Sequence, residues 1–121
     1  MKEKCILIVN QDIVVASIMK HVLTDHNLDF KIAQHFSTVE EVLEKQHIDL
    51  IITDLIIDGL STNEYISFLN KKLPNVPILV TSHMDHTSIK EEIELLGTTT
   101  FIPLPLKLST LKTTLKNYLW S

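Results

Sequence analysis

The chain has 121 residues and a mass of 13.8 kDa, the size of one domain. Hydrophobic residues at 45% and charged residues at 21% make it globular rather than disordered, and a single cysteine excludes an internal disulfide or a multi-thiolate metal site. All 11 basic residues are lysine against 15 acids, a net charge of -4, so there is no arginine fork for base edges and nucleic-acid binding is not expected.

In chain order, the first apolar run is Cys5-Ile6-Leu7-Ile8-Val9, of strand length and far short of the ~20 residues of a membrane span. A soluble, cytoplasmic protein without membrane contact is expected, folded as a single domain over residues 1–121 with no output domain. Val14, Val15, Ile18, Met19, Val22 and Leu23 then form one apolar stripe at helical spacing. A second strand is predicted at 30–34 and a second helix at 37–46, opened by the capping-box patterns Ser37-x-x-Glu40 and Thr38-x-x-Glu41. A third strand is predicted at 49–53. The third helix should begin near Ser61 or Thr62, turn Tyr65, Ile66, Leu69 and Leu73 inward, and close before Pro74 and Pro77.

A fourth strand is predicted at 77–81, followed by a helix from Ser88 to Gly97. The last strand is placed at 99–102, and Leu108, Leu111, Leu115 and Leu119 stripe a fifth helix. Strict alternation of strand and helix gives an α/β fold, (βα)5, with a parallel five-stranded sheet in a three-layer sandwich. Such sheets bind ligands at the carboxyl ends of their strands. Chemistry is therefore expected at Asn10, Gln11 and Asp12, at Asp54, at Ser82 and His83, and at Pro103, Leu104 and Pro105.

Two families share this flavodoxin-like layout. A flavin phosphate needs glycine or hydroxyl residues after the first strand, and Asn10-Gln11-Asp12-Ile13 has neither. Instead, Ile6-Leu7-Ile8-Val9 leading into Asn10-Gln11-Asp12, the strand Asp49-Leu50-Ile51-Ile52-Thr53-Asp54, the run Pro77-Ile78-Leu79-Val80-Thr81-Ser82 and the segment Phe101-Ile102-Pro103-Leu104-Pro105 recur in order over the whole chain. In this the sequence resembles the receiver domains of two-component response regulators.

The resemblance implies a phosphoacceptor at Asp54, a phosphate or switch hydroxyl at Ser82 and a switch aromatic at Phe101. It implies a sensor histidine kinase or phosphotransfer protein as one partner and a downstream effector as another, with no diffusible substrate and hence no enzyme. The partner surface it implies lies on the fourth helix, the fifth strand and the fifth helix, around Leu106 and Leu108.

The sequence departs from the family at the acidic pair, which falls on neutral Asn10 and Gln11, and at the lysine, which falls on Leu104. A lysine there would contribute of order 4 kcal/mol at ~4 Å from the phosphoryl group under an effective dielectric near 20. Mg2+ is usually held by one or two carboxylates plus waters, so its binding is expected to be weak and the metal ligands are not defined. Asp12 could compensate as a carboxylate, but its position suits an N-cap better. Asp58-Gly59 replaces the family's proline and reads as a solvated turn. His83 and His86 are too few for a zinc site. Two rival readings accompany this one: a phosphorylation-independent docking module, and a small-ligand or nucleotide-binding enzyme of the same layout, which the lack of a glycine-rich loop disfavours.

Overall fold

Parallel strands need both faces covered, and the three central strands meet that requirement with side chains that are apolar on both sides. The computed structural model describes residues 4–23, 28–54, 57–82 and 99–103, together with the helical residues Ser109, Lys112, Thr113 and Asn117. Five strands, β1 (Lys4–Val9), β2 (Leu28–Ala33), β3 (Leu50–Asp54), β4 (Ile78–Ser82) and β5 (Thr99–Pro103), form one parallel sheet in the order β2-β1-β3-β4-β5. Ile6, Leu7, Ile8, Leu50, Ile51, Ile78, Leu79 and Val80 are fully buried. Three helices are described: α1 (Ile13–Leu23), α2 (Phe36–Lys45) and α3 (Thr62–Lys72).

The period-2 alternation of the strands divides the core in two. On one face Ile6, Ile8, Leu50, Ile52 and Leu79 pack with Ala16 and Met19 of α1. On the other, Leu7, Val9, Ile51 and Val80 pack with Val39 of α2 and with Tyr65, Ile66 and Leu69 of α3. Ala16 is the close contact of α1, whereas Val14 and Ile18, expected in its apolar stripe, are 61% and 51% exposed.

The third helix follows its sequence signals. Ser61 is the N-cap, its Oγ accepting from the Glu64 N–H while the Glu64 carboxylate accepts from the Ser61 N–H, each at 3.2 Å. Hydrogen bonding to its carboxylate, from the Ser61 N–H first and then from the Ser61 side chain, holds the Glu64 carboxyl below its ordinary value. Tyr65, Ile66 and Leu69 are buried, and Leu73 is the half-buried C-cap.

The second helix departs from expectation, because neither capping box at Ser37 or Thr38 forms. The helix starts earlier, at Phe36, and its N-cap His35 makes no side-chain cap bond. The first amide is capped from elsewhere in the chain, the Phe36 N–H donating to Asp58 Oδ1 at 3.1 Å. The second strand likewise starts two residues before the predicted 30–34, at Leu28, and ends at Ala33.

The expected fourth helix, the His83–His86 pair, Leu104, Leu106, Leu108 and the leucine stripe of the fifth helix lie outside the described residues. Ser109, Lys112, Thr113 and Asn117 are helical and exposed. Among the described residues no helix is long and apolar enough to cross a membrane.

Candidate functional site at the carboxyl ends of the strands

The strand order reverses direction between β1 and β3, so the crevice above that pair is the expected ligand position. Val9 is registered against Thr53, which brings Asn10 and Asp54 out of the sheet on neighbouring strands, spaced ~4.8 Å apart by sheet geometry. On the other side, Asp54 is registered against Thr81, Thr81 against Ile102, and Ser82 against Pro103. Asp54 is half-buried at the end of its strand. Asp54 and Ser82 thus end adjacent strands, and Phe101 lies within β5 two residues before its last position.

The β1 rim is built from an amide chain. Asn10 is 7% exposed, its N–H donates to the Ala33 carbonyl at 3.1 Å, and its Oδ1 accepts from the Asp12 N–H at 2.8 Å. Asp12 then caps α1, with Oδ1 accepting from the Val14 N–H at 2.9 Å. Gln11 is exposed, and its carbonyl accepts from Gln34 Nε2 at 3.3 Å. The oxygen that Asn10 could offer a cation is therefore already engaged, and one oxygen of Asp12 is turned to the helix.

Asp58 is not simply a solvated turn residue. Gly59 takes a left-handed φ of +82° as the turn demands, but Asp58 reaches across to cap α2 and stands 3.6 Å from His35 Nδ1. Among the described residues no three His, Cys, Asp or Glu side chains converge as metal ligands. Among the described residues the donors on this rim fit Mg2+ poorly: the half-buried Asp54 carboxylate, an Asp12 carboxylate with one oxygen turned to α1, and a neutral Asn10 amide whose oxygen is already bonded.

Beneath Asp54 lies a group of hydroxyls that sequence reasoning left in the plain core. Thr53 Oγ1 donates to the Asp54 carbonyl at 3.0 Å and lies 2.7 Å from the Tyr65 hydroxyl. Thr81 Oγ1 donates to the Thr53 carbonyl at 3.4 Å. Thr53, Thr81 and Tyr65 are all buried. Burial pushes the Tyr65 phenol well above its ordinary value; the Asp54 charge adds to the rise and the Thr53 hydrogen bond opposes it. The signal available was Thr53 itself, a hydroxyl on an otherwise apolar strand face, which requires a buried partner.

At the opposite end of the sheet, Cys5 is buried beside Gln46 Nε2 at 3.1 Å, and Asp49 Oδ2 accepts from the Cys5 N–H at 2.8 Å. Burial, then the Asp29 charge, pushes the thiol up to about 11. His47 pairs with Asp49 there, whereas His35 stands by Asp58, so these two histidines share no site.

A five-stranded parallel sheet in this order, with helices on both faces and an acid ending the third strand, defines a flavodoxin-like α/β fold. The family model for the response regulator receiver domain matches residues 6–116, and the chain belongs to that family, the receiver domains of two-component signalling. Solved structures agree on the fold. The chemotaxis response regulator CheY4 of Vibrio cholerae superposes with a TM-score of 0.85 at 22% identity, covering 98% of this chain and 100% of that one. A two-component response regulator from Clostridium difficile gives 0.90 at 17% identity, covering 97% and 96%. The CheY-like receiver domain protein from Methanospirillum hungatei gives 0.85 at 19% identity, covering 96% and 93%. No curated protein matches the chain in sequence. Receiver domains are signalling modules that typically bind Mg2+ at the phosphorylation site and interact with histidine kinases, phosphotransfer proteins and effectors.

Proposed function

We propose that this receiver domain accepts a phosphoryl group on Asp54 in a cytoplasmic phosphorelay and passes the signal on by contact with a protein effector. The observation that carries the reading is the placement of Asp54 at the end of β3, beside the switch point and next to the strand that ends in Ser82. In the transfer, an Asp54 carboxylate oxygen attacks phosphorus and the bond from phosphorus to the donor's nitrogen or oxygen breaks. The donor leaves with the electron pair and takes up a proton, and an acyl phosphate remains. Ser82 is the hydrogen-bond donor to the phosphoryl oxygens, because the Thr81 hydroxyl is already engaged within the sheet. Phe101 is the aromatic whose placement follows that contact. In this reading two further helices complete the (βα)5 repeat.

Charge compensation at this site is weak. Asn10 and Gln11 bring no charge, Leu104 replaces a cation, and Asp12 is the carboxylate on this rim that could assist Asp54 while still capping α1. A second reading, a docking module that works without phosphate, is favoured by the engaged Oδ1 of Asn10. NMR with a phosphoryl mimic and Mg2+ separates the two. The phosphoacceptor reading predicts a small response in the wild type and a full one, dependent on Asp54, in the combined variant Asn10→Asp, Gln11→Asp, Leu104→Lys. A silent combined variant would leave the docking module, and a co-purifying nucleotide or chromophore would instead support a ligand-binding enzyme.

A further inference from the structure

We propose that Tyr65 is a positioning residue for the acceptor: its buried hydroxyl, acting through Thr53, fixes the backbone from which the Asp54 carboxylate projects. The inference rests on the reading of Asp54 as phosphoacceptor and deepens it.

Proton accounting gives the chain a direction. Thr53 Oγ1 carries one proton, and the Asp54 carbonyl 3.0 Å away can only accept, so the Thr53 proton is committed there. The hydroxyl of Tyr65, 2.7 Å from the same oxygen, must then be the donor of its pair. The order is Tyr65 O–H to Thr53 Oγ1, then Thr53 O–H to the Asp54 carbonyl.

The two carbonyls involved flank the Cα of Asp54. The one before it, of Thr53, is held by Thr81 from β4 at 3.4 Å; the one after it, of Asp54 itself, is held by Thr53 and hence by Tyr65 from α3. Holding both peptides fixes the direction in which the Asp54 side chain leaves the sheet. The anchor is stiff, because Tyr65 is fully buried and its ring meets Phe36 of α2 edge-on, with centroids 6.3 Å apart and planes at 81°. Phe36 in turn packs edge-on against Phe68 at 4.9 Å, and its amide is capped by Asp58 from the turn after β3. The acceptor and the loop that follows it are thus tied to one aromatic cluster between α2 and α3. With neutral residues where charges would draw a phosphoryl group in, placement of the nucleophile carries more of the reaction.

The test compares wild type with Tyr65→Phe, Thr53→Val and Thr53→Ser, all measured well below their melting temperatures. One readout is the rate constant of modification by phosphoramidate, followed by intact mass; the other is the 13C resonance of the Asp54 carboxyl carbon. The expected result is a rate about tenfold lower in Tyr65→Phe and in Thr53→Val, with Thr53→Ser restored to within about twofold of wild type. A merely structural role lowers the melting temperature and leaves the rate constant unchanged, and that result would overturn the proposal. Should Tyr65→Phe fail to fold, Thr53→Val against Thr53→Ser decides alone. If the wild type takes no phosphoryl group, the phosphoacceptor reading fails by itself. The positioning claim is then judged by the carboxyl resonance, which must move in Tyr65→Phe and Thr53→Val and stay in Thr53→Ser; an unmoved resonance refutes it.

Discussion

Removing either hydroxyl of the Thr53–Tyr65 pair should cost stability unequally, and the inequality follows from which group donates. Tyr65→Phe removes the donor but leaves the Thr53 proton on the Asp54 carbonyl, so only a lone pair loses its partner and the cost is about 1 kcal/mol. Thr53→Val strands the Tyr65 O–H in a site with no exposure and also releases the Asp54 carbonyl, which costs about 2 to 3 kcal/mol. In the double variant the stranded phenol is gone, so the losses should fall short of additivity by about 1 kcal/mol. For a domain of this size each kcal/mol moves the melting temperature by about 4 °C. Urea unfolding of the four proteins in a double-mutant cycle measures all three quantities.

The same pair makes a pH statement. The folded Tyr65 phenol is held above its ordinary value of 10.0, so above about pH 10 the unfolded chain loses that proton while the native state keeps it. The contribution is complete below pH 10 and is lost as pH rises beyond it; Tyr65→Phe should abolish that part of the alkaline decline. Equal costs for the two single variants, strict additivity, or an alkaline slope unchanged by Tyr65→Phe would refute the directed chain.

Wild-type protein should bind Mg2+ weakly by calorimetry, and Asn10→Asp with Gln11→Asp should tighten binding by more than about tenfold by restoring two charges; tight wild-type binding lost in Asp54→Ala would contradict this. Cys5, its thiol raised to about 11, should resist iodoacetamide at pH 8 in the native state and react promptly in urea, as mass spectrometry would record. Asp58→Ala should cost about 0.5 to 1 kcal/mol and speed hydrogen exchange at the Phe36 amide, leaving the later turns of α2 protected.

The strands were readable because each is a short apolar run ending in polar residues, and the run at 49–53 places Asp54 at a strand end with no tertiary information. The third helix was readable because Ser61 and Pro74 are local signals that bound it, and Ser61 is its N-cap; the capping box with Glu64 became visible only in the structure. Two misreadings have one cause, the dominance of tertiary contact over local pattern. The capping motifs at Ser37 and Thr38 yield to Asp58, more than twenty residues away, which caps α2 from another loop. The broad stripe of α1 does not say which side faces the sheet; the small Ala16 allows close approach there and leaves Val14 and Ile18 outside. At the site, Asn10 and Asp54 could be placed because strand ends follow from periodicity. The Tyr65 hydroxyl could not, since a tyrosine at an inward helix position says nothing about which strand residue receives its proton.

The central claim is that Asp54 accepts a phosphoryl group despite a depleted site. Intact mass measurement after exposure to a small phosphodonor, with and without Mg2+, on wild type and on Asp54→Ala tests it most directly. The account predicts a slow gain of one phosphoryl group by the wild type, only weakly enhanced by Mg2+, and none by Asp54→Ala. No gain by the wild type under any condition, or an equal gain by Asp54→Ala, would contradict it.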